Sequence, residues 1–325
     1  MARRSTGDRN EEYTAASDRV GRRGFVMTTR RQFVTSAAAA FGAATLVPRD
    51  GIAWSGAGVA SGAVPDLFAP ARRERIARIG LELYTVRSEM QKDVAATLAR
   101  VAQIGYKEVE FAGYFAVAPE RLRALLDEHR MTSPSVHIGI DALERDFATP
   151  AASARVIGHE SLIVPSLNTR ALTTVEAWKG IAARFDALGR KARDAGLRFA
   201  FHNHAAEATP MADGTRPYDV LLGETDPSLV DFQMDLYWMI KAGGDPLAFF
   251  SSNRGRFRSV HVKDATAAPE LAMRDVGAGA IDWKRVFAKH RDAGIRHYFV
   301  EHDSPGADPF GSVKASYDYL SKLEF

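Results

Sequence analysis

From Ile79 to the C-terminus, short β-type runs alternate strictly with longer amphipathic segments, and this regularity restricts the fold more than any other feature of the chain. The strand candidates are residues 80–85, 108–112, 133–138, 161–165, 198–203, 230–236, 258–263 and 297–302. Helical patterns lie between and after them at 94–104, 119–129, 151–157, 174–195, 218–223, 246–251, 283–293 and 312–323. Thr173 and Thr174 precede Glu176 as in an N-cap region, and Gly105, Gly196 and Gly294 end helices just before strands. A repeated β-then-α order makes the strands parallel with right-handed crossovers. Eight such units fit a single α/β domain of the (β/α)8 barrel type, which takes about 250 residues. No GxGxxG follows the first strand, so a dinucleotide-binding fold has no support. The expected organisation is a leader over 1–63, a linker over 64–77 and the barrel over 78–325.

The leader has its own chemistry. Thr29-Arg30-Arg31-Gln32-Phe33 is followed by an alanine-rich run over 37–44, a cationic region ahead of a short, weakly apolar one, as in a secretory signal. The paired Arg before a Phe resembles the motif read by the twin-arginine translocation machinery. Met27 is a plausible true start, with cleavage expected within 55–63. The apolar stretch stops at Val47, too short for a membrane span, so no stable membrane insertion is expected. The mature protein is placed in the periplasm or outside the cell. Residues 1–63 hold nine Arg against five acidic residues, a net of +4, so the 34 basic and 35 acidic residues that follow net −1. A near-neutral body has no bulk attraction for phosphate backbones, and no nucleic-acid partner is expected.

In such barrels the chemistry sits at the C-terminal ends of the strands. Those positions carry Tyr84 and Arg87; Glu110 and Tyr114; His137; Asn168; His202, Asn203, His204 and Glu207; Asp235, Tyr237 and Trp238; His261, Lys263 and Asp264; and Glu301, His302 and Asp303. Five of the nine His in the chain fall there, although polar side chains are costly in a buried barrel mouth unless satisfied. Strands five to eight end in turn on His202, Asp235, His261 and Glu301. Adjacent strands lie roughly 5 Å apart, so these four side chains are expected to share one divalent ion. With Cys absent, two imidazoles and two carboxylates suit Mn2+, Zn2+, Co2+ or Fe2+ better than Mg2+.

Phe201-His202-Asn203-His204, Met234-Asp235-Leu236-Tyr237-Trp238, Val260-His261-Val262-Lys263-Asp264 and Val300-Glu301-His302-Asp303 together resemble the sugar phosphate isomerase/epimerase family. That family shares the xylose isomerase-like barrel with endonuclease IV. Gly277-Ala278-Gly279, ahead of Trp283, is similar to its glycine-containing loop, and the resemblance spans 78–325. It implies a divalent metal held by Glu, Asp, His and Glu on strands five to eight. Asp235, His261 and Glu301 match, whereas His202 stands where the epimerases have Glu. His204 and Glu207 are therefore alternatives for the first ligand. Endonuclease IV uses three metals and has a second His on strand six where this chain has Trp238, so a nuclease is not expected.

The resemblance implies a metal-dependent sugar isomerase or epimerase working through an enediolate of a ketose or keto-sugar. The related epimerases divide the proton transfers between two Glu residues. Here only Glu301 matches, as the base. The second proton falls to His202, His204, Glu110 or Lys263, the last being an acid, an anion ligand or an ion-pair partner of Asp264. One base at carbon and one acid at a leaving oxygen suit β-elimination as well, so a keto-glycoside lyase or dehydratase is the alternative. A non-catalytic sugar-binding barrel is the third reading. His137, Trp238, Tyr84 and Asn168 are expected to bind the sugar. Export favours a free sugar, a glycoside or a 3-keto-glycoside over a phosphorylated one.

Overall fold

A computed structural model describes residues 73–325. The expected leader over 1–63, with Arg30, Arg31 and Met27, and most of the expected linker lie outside the described residues. Strands β1 (Ile79–Glu82), β2 (Glu108–Phe111), β3 (Thr132–His137), β4 (Ser161–Val164), β5 (Arg198–His202), β6 (Val230–Asp235) and β7 (Phe257–Val262) alternate with helices. A two-stranded antiparallel hairpin of β8 (Asp264–Ala265) and β9 (Met273–Arg274) then precedes β10 (His297–Val300). Eight strands close into one barrel in the order β1-β10-β7-β6-β5-β4-β3-β2, and every pairing in it is parallel. This is the expected (β/α)8 barrel.

The helix Val175–Asp194 shows why the helices pack outside the strands. Thr174 caps it by accepting from the Ala177 N–H, and Trp178, Ile181, Phe185, Leu188 and Ala192 recur every three or four residues on its buried face. Phe185 lies against Phe199 and Phe201 of β5, with ring centroids 5.5 and 5.0 Å apart. Each large apolar side chain buried in this way contributes about 1.5–3 kcal/mol.

Several boundaries differ from expectation. The helix expected over 283–293 is two short helices, Trp283–Phe287 and His290–Ala293. The helices Arg87–Lys92, Ile140–Arg145 and Leu236–Lys241 were not anticipated, because six residues are too few to display a helical period. Residues 83–85, expected to extend the first strand, form a turn instead. Backbone bonds Glu74 N–H to Phe325 O (2.8 Å) and Phe325 N–H to Glu74 O (3.0 Å) join the first described residues to the C-terminal end. No helix among the described residues is long and apolar enough to cross a membrane.

Candidate active site

Strand register assembles the polar residues. Across the β6–β7 pair Asp235 stands opposite His261, across β5–β6 His202 stands opposite Gln233, and across β1–β2 Glu82 stands opposite Glu110. Glu301 follows β10 directly, its N–H donating to Val262 O at 3.2 Å. Asp235, His261 and Glu301 offer ligand atoms that all lie within 4.8 Å of one another. Two further sets share His261: one with His137 and His202, the other with Glu82, Glu110 and His137. His202 approaches the first set through Nε2, 3.7 Å from Asp235 Oδ2. His204 lies next to it, ring centroids 5.0 Å apart, while the Glu207 carboxylate accepts from the His204 backbone N–H at 2.9 Å. Of the three candidates for the fifth-strand ligand, His202 falls in the set with His137 and His261 and not in the set with Asp235 and Glu301.

His261 lies between two carboxylates, Nε2 being 2.6 Å from Glu110 Oε1 and Nδ1 2.5 Å from Glu301 Oε2. Burial lowers the proton affinity of this imidazole, but Glu301 and Glu110 outweigh it and hold the group at about 9. Lys263 sets its ammonium 2.8 Å from Asp235, 2.7 Å from Glu301 and 2.7 Å from Asp303. Burial opposes that charge as well, yet the three carboxylates keep it ionised, well above the ordinary lysine range. For Glu301, burial raises the carboxyl, and Lys263 and His261 more than reverse this, leaving it well below the carboxylate range. Asp235 is pushed up to about 6 by burial, against the pull of Lys263 and His261. Burial, helped by the positive charge of Lys263, lowers His204 to about 4, so its imidazole is neutral.

These residues fit a divalent cation. The donors are nitrogen and oxygen only, and behind His261 stands Glu110, the kind of carboxylate to which a metal-bound imidazole donates its other N–H. Asp235 Oδ2 is buried, and the group near it is the Lys263 ammonium, an ion-pair contact at 2.8 Å. The Lys263 ammonium, held between Asp235 and Glu301, shows that the protein already gathers negative charge around a cation there.

A cavity of about 450 Å³ opens above this group, lined by Tyr84, Ala112, Gly113, His137, Pro165, Ser166, His202, His204, Glu301 and Asp303. The expected residues therefore separate. Glu301, His204, His137 and Tyr84 reach its wall, whereas Lys263 and Glu110 are buried and committed to other side chains. Asn168 caps the short turn Thr169–Ala171, and Trp238 packs beside Tyr237 and His204, so neither is in the wall. Lys263 is not paired with Asp264. That carboxylate accepts from the backbone of Ala265, Gly277 and Ile281 and from Trp283 Nε1, which explains the glycine-containing loop. A Cβ at Gly279 would sit 2.1 Å from Asp264 Oδ1 and 2.5 Å from Ala265 O.

Sequence reasoning missed Glu82, Gln233 and the role of Asp303. Glu82 is fully buried with Oε2 unpartnered, and burial together with Glu110 and Glu301 raises its carboxyl well above the usual range. The signal available was strand alternation: Gln233 shares the inward face of β6 with Asp235, two residues away.

Residues 98–323 match the family described as the xylose isomerase-like TIM barrel. The chain belongs to that family. It is 24% identical over 267 residues to an inosose dehydratase of Geobacillus kaustophilus (strain HTA426), covering 70% of this chain and 86% of that protein. An inosose dehydratase of Lacticaseibacillus casei is 26% identical over 166 residues, 45% of this chain and 55% of the relative's length. Against such relatives the match spans only about half of their length. Among solved structures, a sugar phosphate isomerase/epimerase from Parabacteroides distasonis ATCC 8503 is similar, with a TM-score of 0.67 and 26% identity over 76% of this chain and 98% of that one.

Proposed function

We propose that this family member is a divalent-metal-dependent lyase that eliminates water, or another oxygen leaving group, from the carbon β to a ketone in an uncharged sugar or cyclitol. The observation that carries the reading is an asymmetry: Glu301 is the one carboxylate of the ligand set that reaches the cavity wall, and the β5 side presents the imidazoles His202 and His204. Epimerising a sugar through an enediolate calls for a proton-transfer group on each face of the reacting carbon, whereas elimination needs a base at one carbon and proton delivery to one oxygen. The inosose dehydratase relatives support the same choice.

A divalent ion held by Asp235, His261, Glu301 and His202 would supply electrostatic stabilisation of the charge that develops on the ketone oxygen. Lys263, 2.7 Å from Glu301, would keep that carboxylate ionised and ready to accept the proton from the carbon next to the ketone. As that C–H bond breaks, its electron pair becomes the new C=C bond and the β C–O bond breaks. Glu301 then passes the proton to the departing oxygen, which leaves as water or an alcohol. Neutral His204 orients that oxygen by a hydrogen bond, a role open to an imidazole that stays uncharged.

The wall of the cavity has no Lys or Arg among the described residues and carries Glu301 and Asp303. A phosphorylated sugar would meet like charge there, and an uncharged polyhydroxy ketone would not. Export through the twin-arginine route, which we also propose, agrees with such a substrate.

The test is to incubate metal-loaded protein with an inosose and with a 3-keto-glycoside in D2O. Elimination predicts loss of water or of the aglycone and appearance of an enone. Deuterium uptake with no loss would favour isomerisation instead. Neither change with either ketone would remove the catalytic reading.

A further inference from the structure

We propose that Gln233 is a positioning residue that fixes the tautomer of His202, and so decides which nitrogen of His202 carries a lone pair toward Asp235. Gln233 is completely buried on β6, and its amide joins four strands. The Nε2 group donates to Glu110 Oε1 at 3.0 Å, to Glu110 Oε2 at 2.8 Å and to Ser259 Oγ at 3.1 Å. Its Oε1 lies 2.8 Å from His137 Nε2 and 3.0 Å from His202 Nδ1.

The orientation of this amide follows from its neighbours. Turned over, it would press a carbonyl oxygen against both oxygens of Glu110, a carboxylate that also accepts from Ser135 and from His261. With the NH2 group on Glu110, the carbonyl must face the two imidazoles. A carbonyl oxygen only accepts hydrogen bonds, so His137 Nε2 and His202 Nδ1 both donate. His202 is buried beside His261, ring centroids 4.5 Å apart, and the Gln233 carbonyl holds the proton of its imidazole on Nδ1. One proton on Nδ1 leaves Nε2 bare, and Nε2 is the atom 3.7 Å from Asp235 Oδ2.

The consequence for ligand binding rests on the metal reading proposed above, whereas the tautomer assignment does not. The hydrogen bond made by one ring nitrogen sets whether the other can bind a metal. Without the Gln233 carbonyl, His202 is free to carry its proton on Nε2, where it blocks the lone pair.

The test is a long-range 1H–15N spectrum of metal-free, 15N-histidine-labelled protein near neutral pH, with His202 assigned from a His202→Asn variant. Protonated Nδ1 and bare Nε2 on His202 are expected, and a proton on Nε2 in the wild type overturns the proposal. In Gln233→Leu the His202 proton should move largely to Nε2, and affinity for Zn2+ or Mn2+, each titrated alone, should fall about 10–100-fold. An unchanged His202 tautomer in a folded Gln233→Leu protein also overturns it. If the wild type takes up neither ion, the metal reading fails, while the same wild-type spectrum still decides the role of Gln233.

Discussion

Asp235 faces His261 because strand β6 slips by one residue against β7 between Phe232 and Gln233. Counted on from the Phe232–Phe257 pair, Asp235 would stand opposite Val260, whose side chain lies on the other face of the strand. A similar slip between β2 and β3 sets Glu110 against Ser135 instead of Pro134, a residue with no N–H to give to a ladder. Two irregularities of this kind aim the residues on which the site depends.

Loss of either partner in the first pair should remove the ion. Asp235→Ala and His261→Ala are each expected to lose or strongly weaken binding of about one divalent ion per chain, since a missing ligand also leaves the others as an unbalanced polar group. Elemental analysis of the purified variants checks this, and full occupancy in both would refute the ligand set.

Glu301→Gln keeps an oxygen ligand of the same size but no longer accepts a proton. Turnover is expected to fall at least about 100-fold, the usual scale for a lost general base, with substantial metal retained. Solvent-deuterium exchange into a bound ketone should decline in parallel. Exchange at the wild-type rate with metal retained would make Glu301 a ligand only.

His159 gives a pH dependence separate from the metal ligands. It is buried between Phe111 and Tyr114, Nδ1 donates to Ser133 O at 2.7 Å, and Nε2 has no partner. Burial lowers it to about 4, with the Ser133 bond opposing. The folded value lies below the unfolded one of about 6.5, so the contribution is complete above that pH and is lost as pH falls through about 4. At about 1.4 kcal/mol per unit this is on the order of 3 kcal/mol. Urea unfolding of His159→Phe should therefore show a shallower loss of stability between pH 7 and 4 than the wild type; equal slopes would exclude the assignment.

Gly279→Ala tests the loop around Asp264. The added methyl would clash with the Asp264 carboxylate and the Ala265 carbonyl, and overpacking of this kind costs about 1–3 kcal/mol. A lowered thermal midpoint is expected, with the midpoint unchanged if the loop does not enclose Asp264 as described.

Export is tested independently of the barrel. Arg30→Lys with Arg31→Lys should strand the protein in the cytoplasm, because the paired guanidinium groups are what the pathway reads. Undiminished periplasmic yield of the double variant would contradict it.

The sequence by itself determined the eight βα units, since apolar periodicity and the glycines after helices are local, and it placed Asp235, His261 and Glu301 at strand ends. It also showed that no thiolate ligand is available. It did not reveal that Lys263 serves Asp235, Glu301 and Asp303 rather than its neighbour Asp264, because those carboxylates arrive from two other segments of the chain. Strand alternation puts Gln233 on the same face as Asp235, but the partners that Gln233 and Glu82 meet come from other strands and carry no local signal. Only barrel closure, with one-residue slips in register, decides which polar side chains meet, because a hydrogen bond or a shared ion needs contact within a few ångströms and the chain carries no local signal of that distance.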